Sequence, residues 1–297
     1  MTPVVLGALA LVLAGPVPWL LLRLPWLRRT PAAALLLWQS VALAAVLAAL
    51  GAGVSLATAL ARDGRVDDLL GTPVATVVAA LVALLTLTVA GRLLLSGHRV
   101  GTELRALRRR HREQVDLVAS REGDGLHILE HPLPVAWCLP GMRGRRIVVS
   151  EGLLRALPAE QAAAVVAHER EHLRSRHDLV LEAFTVLHRA FPGWVASAPA
   201  LREAALLVEV LADRAARREY GARALAGALV AVSTAGTPEG SLGVAGEGSD
   251  LLVRVRLAGE DRPRRVQAAL LVLTAAGLLA LPTALVVWPW AADLLAA

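Results

Sequence analysis

Four stretches of the chain, residues 3–22, 31–60, 73–95 and 266–290, run almost without charge, and this pattern constrains the fold more than any other feature. A helix rises about 1.5 Å per residue and the hydrocarbon core of a bilayer is about 30 Å thick, so roughly 20 apolar residues cross it. Each stretch reaches that length. The second exceeds it and is expected to tilt or protrude. Pro16 and Pro18 are expected to kink the first, which membrane helices tolerate. Arg92 sits near the end of the third, where a long side chain can reach the interface. Trp288 and Trp290 close the fourth, as residues of an interfacial belt do. No positive charge precedes the first stretch and Arg23, Arg28 and Arg29 follow it. A cleavable signal peptide has the reverse order, so a retained anchor is expected. At 56% hydrophobic and 19% charged residues, with a mean hydropathy of +0.57, an ordinary soluble enzyme is excluded.

The net charge of +6 comes from arginine alone, because the sequence has no lysine. Arginines cluster at 23–29, at Arg99, Arg105, Arg108, Arg109, Arg110 and Arg112, and again at Arg254, Arg256, Arg262, Arg264 and Arg265. The loop 61–72 is net acidic. By the positive-inside rule, residues 23–30 and 97–264 are expected in the cytosol and both termini outside the cell membrane. Since the arginines flank apolar runs, the expected partner is the lipid bilayer and not nucleic acid. The single cysteine, Cys138, excludes an intrachain disulfide. The expected organisation is three spans within 1–96, a cytosolic domain at 97–264, and a fourth span with a short external tail at 265–297. Nothing assigns an oligomeric state.

Within 97–264 a basic helix is predicted at 102–118, leaving the membrane. Short strands are predicted at 126–129, 135–139 and 146–150, separated by proline and glycine. Helices are predicted at 151–157, 159–177, 179–190 and 201–220. The fold class is therefore a mainly α membrane protein whose cytosolic helical domain carries a small β layer.

The second of these helices contains His168-Glu169-Arg170-Glu171-His172. Residues four apart share a helix face, so both imidazoles can reach one ion. Glu169 lies one step round, where its carboxylate can take a proton from a water held there. The same spacing also arises by chance on solvated faces, so a third ligand matters. Glu209 supplies one: it sits alone in the apolar run Leu206-Leu207-Val208-Glu209-Val210-Leu211-Ala212. An unpaired carboxylate buried there costs several kcal/mol, and a metal ion relieves that cost. Asp213, four residues on, shares the face and is placed to orient a ligand histidine. The alternative for Glu209 is escape to solvent or pairing with an arginine.

Other residues fit less well. On a continuous helix His177 turns about 140° from the ligand face and reads as a helix-terminal or hydrogen-bonding residue. His188 reads as a packed or interfacial histidine, Cys138 as a buried thiol near the cleft, and His127 and His131 as loop or strand-edge residues. Arg214, Arg217 and Tyr220 are the candidates to stabilise an oxyanion.

With these residues in place, positions 142–265 resemble the integral-membrane zinc peptidases of the BlaR/MecR antirepressor type. Residues 146–157 are similar to the strand and helix before their HExxH. Residues 186–200, with His188, Phe191, Pro192 and Trp194, resemble their aromatic, proline-bearing segment. Residues 201–214 are similar to their ExxxD helix, which maps its zinc-ligand glutamate onto Glu209 and its aspartate onto Asp213. Residues 251–265 resemble the arginine-rich stretch before their last span. The cysteine usual before that aspartate is Ala212 here. Sensor members carry an extracellular penicillin-binding domain after the last span, and only 291–297 follow it here, so beta-lactam sensing is not expected.

The resemblance implies a zincin-like endopeptidase acting on a protein substrate, such as a winged-helix DNA-binding repressor, at the cytosolic face. Zn²⁺ is the expected cofactor, held by His168, His172 and Glu209, with Glu169 as general base and then acid. A quality-control or CAAX-type membrane metallopeptidase shares such a site. The absence of histidine beyond His188 disfavours it. A non-catalytic membrane signal transducer with a structural metal is a rival of another class, and Glu169, which no structural site needs, argues against it.

Overall fold

The structure is a computed structural model that describes residues 2–63, 73–123, 125–141, 144–191, 193, 195, 197–233, 248–260 and 264–296. In chain order the helices are α1 (Thr2–Ala14), α2 (Pro16–Leu22), a 3-10 turn (Pro25–Arg29), α3 (Pro31–Asp63) and α4 (Pro73–Val118). Four strands follow: β1 (Ala119–Arg121), β2 (Leu126–Leu129), β3 (Ala136–Leu139) and β4 (Arg146–Ser150). Six helices complete the described residues: α5 (Glu151–Ala156), α6 (Ala159–Arg174), α7 (His177–Ala190), α8 (Ser197–Ser233), α9 (Gly248–Gly259) and α10 (Arg265–Ala296). These divide into two compact units, one of Met1–His98, Val186–Ala200 and Arg264–Ala297, the other of Arg99–Thr185 and Leu201–Pro263.

The first unit holds the apolar helices, of which Pro73–Val118 runs on past His98 into the second. Thr2–Leu22, Pro31–Ala59, Pro73–Val118 and Arg265–Trp288 are each long and apolar enough to cross a membrane. The first of these breaks between Ala14 and Pro16, because Pro16 has no N–H to continue the helical ladder. α3 packs against both α1 and α10, and small residues let it do so. Ala44, Ala48 and Ala52 are buried, and a Cβ at Gly51 would come within 2.8 Å of Val286. Residues 186–200, from the middle of the expected 97–264 domain, group with these helices. Arg92 Nε donates to the Ala190 carbonyl at 2.6 Å, and the Ser96 hydroxyl donates to Val186 at 2.8 Å. The expected loop 61–72 falls outside the described residues from 64 on, as do Pro192 and Trp194.

The second unit is built on a four-stranded sheet of order β1-β2-β4-β3. β2 and β4 are parallel, while β1 and β3 pair antiparallel with β2 and β4 respectively. β1 was not predicted: it follows α4 directly, with no proline or glycine before it to mark a boundary. Side chains of β4 alternate between two faces, as strand geometry requires. Ile147 and Val149 enter a core with Leu153, Leu157, Ala162, Leu173 and Ala228, while Val148 joins Val115 of α4 and Leu139. Ser150 ends the strand and caps α5. Its hydroxyl accepts from the N–H groups of Leu153 and Val135, each at 3.0 Å, and donates to the Leu133 carbonyl.

Three boundaries differ from the sequence reading. The basic helix at 102–118 is the continuation of α4 and not a separate element. The helix predicted to reach 177 ends at Arg174, because Arg176 takes a left-handed φ of 52° and turns the chain before His177 opens α7. The long α8 breaks at Gly221 (φ 83°, ψ 162°), where the predicted 201–220 helix stops and a further helical segment begins. α9 was read only as a run of topology-setting arginines.

Candidate metal centre

α6 buries Ala162, Ala164, Ala167, His168 and Leu173, and this face carries both histidines of the motif toward α8. The three expected donors converge there. His168 Nε2 and His172 Nε2 are 3.1 Å apart. Glu209 bridges the pair, with Oε2 3.4 Å from His168 Nε2 and Oε1 3.5 Å from His172 Nε2. One ligand atom from each of the three lies within 4.8 Å of the others. Donors placed tetrahedrally at the ~2.0–2.1 Å of zinc–nitrogen and zinc–oxygen bonds are about 3.3 Å apart. The nitrogen–nitrogen spacing and the two nitrogen–oxygen spacings, which run to different oxygens of Glu209, lie near that value, so the convergence and chemistry of the three donors fit a zinc ion.

Beside this trio a charged network fixes one flank. Asp213 Oδ1 lies 3.0 Å from His168 Nδ1, on the ring edge opposite the converging nitrogen. Asp213 is 1% exposed, and a buried carboxylate at that depth needs a counter-charge. Arg254 of α9 provides it through two parallel bonds of 2.8 Å, and its Nη1 reaches Glu209 Oε2 at 3.1 Å. The protonation preferences follow. Burial pulls the His168 imidazole down, but Asp213 and Glu209 more than reverse this and push it up to about 10. Burial also raises the carboxyls of Glu209 and Asp213, yet His168 and Arg254 hold both below the usual carboxylate range.

The other flank is less charged. His177 Nδ1 is 3.1 Å from His172 Nδ1. Burial lowers His172 to about 4, with Glu209 opposing, and burial then His172 lower His177 to about 4, so both rings stay neutral at pH 7. Cys138 of β3 lines the same small pocket as His172, His177 and Glu209. Burial and the neighbouring Glu169 carboxylate push its thiol well up, and it hydrogen-bonds Glu169. Burial raises the Glu169 carboxyl above its ordinary value, with His168 opposing. This is the direction a general base working near neutral pH requires.

The remaining candidates stand elsewhere. Arg217 donates to the Glu260 carbonyl, and Arg214 is surrounded by Arg217, Glu260 and Arg218. Tyr220 hydrogen-bonds Glu219. His188 Nδ1 is 3.1 Å from the Ser197 hydroxyl, in the unit of apolar helices. His127 is buried within β2, an inner strand, with Nδ1 3.1 Å from the Gly125 carbonyl, while His131 accepts from Leu133 N–H.

Sequence reasoning missed two residues of the centre. His177 was turned away by assuming an unbroken helix, and the turn at Arg176 brings it back. Arg254 had a legible signal: Val253–Leu257 and Arg254–Ala258 recur at helical spacing, and Leu257 and Ala258 are buried, so the arginine lies beside a packed face.

Residues 105–234 match the model of peptidase family M48. That stretch contains His168, Glu169, His172, Glu209 and Asp213, and the match indicates metallopeptidase chemistry for it. Arg254 lies beyond the matched residues. No curated protein and no solved structure matches the chain.

Proposed function

We propose that the chain is a membrane-embedded zinc endopeptidase that serves as a signal-controlled antirepressor, cleaving a winged-helix DNA-binding repressor at the cytosolic face of the cell membrane. One observation supports the enzymatic part: three metal donors converge, with a carboxylate of raised pKa next to them. Zinc bound there supplies Lewis acidity toward a peptide carbonyl and activates water. His168, His172 and Glu209 hold the ion. The Glu169 carboxylate takes a proton from the attacking water and returns it to the leaving amine. Asp213, itself fixed by Arg254, keeps the His168 ring aimed at the ion.

The four apolar helices and the arginine clusters around them support the membrane setting, with residues 23–30 and 97–264 on the cytosolic side. The antirepressor role rests on the resemblance of residues 142–265 to BlaR/MecR-type peptidases. The test is co-expression with the candidate repressor under envelope stress, following repressor length and target-gene expression. Shortened repressor in wild-type cells and intact repressor in Glu169→Gln cells is the expected outcome; intact repressor in both defeats the antirepressor role. A second reading, general proteolysis of membrane proteins, is favoured by the match to peptidase family M48, a designation that carries no antirepressor role. It predicts that Glu169→Gln cells accumulate damaged membrane proteins while the repressor is untouched.

A further inference from the structure

Besides the apolar packing of Val115, α4 meets β4 and α7 through charged side chains. Near its C-terminal end Asp116 accepts two parallel bonds from Arg146 of β4, at 2.9 and 2.8 Å. Higher up, Arg108 reaches the opening turn of α7. Its Nη2 is 3.2 Å from Glu182 Oε2 and 3.7 Å from Asp178 Oδ2, and the Asp178 side chain is 3% exposed. Asp178 directly follows His177, the first residue of α7. His177 is 4% exposed and has its Nδ1 against His172 Nδ1.

Two imidazole nitrogens 3.1 Å apart share one proton. A histidine that offers Nε2 to a metal carries its hydrogen on Nδ1, so His172 is the donor and His177 the acceptor. His177 then holds its own hydrogen on Nε2. The bond fixes both the tautomer and the tilt of the His172 ring, and its geometry depends on where the first turn of α7 sits. Arg108 pins that turn to α4.

We propose that Arg108 and His177 form a positioning relay, in which α4 sets the orientation of His172 through the opening turn of α7. The inference rests on the reading of His172 as a zinc ligand and adds a route by which α4 regulates the site. Displacing α4 relative to α7 loosens Arg108, lets the first turn of α7 shift, and frees the His172 ring.

The test uses the full chain in detergent micelles, with zinc affinity measured by competition against a chromogenic chelator and geometry by the visible spectrum of the cobalt(II)-loaded protein. His177→Leu is expected to weaken zinc binding roughly 10–100-fold, as loss of a ligand's outer partner does, and to shift the cobalt bands. His177→Gln, whose amide oxygen can accept the same hydrogen, should recover most of the affinity and the spectrum. Arg108→Ala should move the same bands with a smaller loss, while Arg110→Ala on the exposed side of α4 leaves them in place. In the double variant Arg108→Ala/His177→Leu the arginine should add nothing to the histidine's effect, because both act through one contact. Unchanged affinity and spectrum in His177→Leu overturns the relay. Fully additive losses remove Arg108 from it. Wild-type protein that binds neither zinc nor cobalt overturns the metallopeptidase reading together with the relay, whereas a tight wild-type site indifferent to His177 overturns the relay alone.

Discussion

His168 and His172 stand one turn apart on α6, yet their surroundings differ in kind. Glu209 bridges both, but α8 and α9 add Asp213 and Arg254 beside the first, while α7 gives the second a neutral imidazole and β3 a thiol in the same pocket. Charge therefore holds one ligand and hydrogen-bond geometry holds the other. The carboxylate side draws positive charge into the site and keeps a proton on His168 until an ion replaces it. The imidazole side keeps His172 unprotonated and ready to bind.

The largest expected effects treat both sides alike. His168→Ala, His172→Ala and Glu209→Ala should each abolish the roughly one zinc per chain expected of a four-coordinate site, as measured by elemental analysis of purified protein. Glu169→Gln should retain the ion and lose about 10²–10⁴-fold in peptide cleavage. Full zinc occupancy in Glu209→Ala would take that residue out of the centre.

A smaller effect separates the flanks. Asp213→Asn removes the carboxylate that takes two bonds from the partly buried Arg254, leaving it the contact to Glu209, and breaking such a pair costs about 3 kcal/mol. The melting temperature should fall clearly. Replacing both partners, as in Asp213→Leu/Arg254→Met, should restore part of it. A melting point indifferent to Asp213→Asn would show that the charged flank contributes nothing to stability.

Smaller again, and more diagnostic, is the pH dependence of zinc binding. His168 is raised to about 10, so below that pH it must give up a proton to bind. Affinity should rise with pH by about tenfold per unit through the neutral range, one proton being released. His172, lowered to about 4, contributes no second proton until the pH falls near that value. Calorimetry in buffers of different ionisation enthalpy counts the protons directly. Two protons released at pH 7 would erase the asymmetry between the rings. The smallest effect belongs to Cys138→Ser, which keeps a donor to Glu169 and should change the cleavage rate by less than about tenfold, a modest change in one neutral hydrogen bond.

The motif was legible because helix periodicity is local. His168 and His172 share a face whatever surrounds them, and Glu209 betrayed itself as one carboxylate in an apolar run. The four long apolar helices were legible for the same reason. What escaped depended on chain reversal and on packing between distant elements. One left-handed residue, Arg176, moves His177 from the wrong side of a helix to the side of His172, and no spacing argument registers it. Arg254 reaches the centre only because α9 packs through Leu257 and Ala258 against α8 and α6. β1 is three residues long and borrows its register from β2.

The break at Gly221 has a bearing on how the proposed centre would acquire an ion. It splits α8 so that the part bearing Glu209 and the part beyond it both return to α6. Ala167 packs with Ala216 on one side of the break and Leu225 on the other, and Gly227 lies so close to Gln161 that a Cβ would come within 2.5 Å of its amide nitrogen. The two helices that carry the proposed ligands are thus held together by apolar contacts as well as by the charged pairs between them. The entropy of assembling the socket is spent during folding and not on loading, which favours a chain that stays folded when stripped by a chelator and refills at a rate set by access.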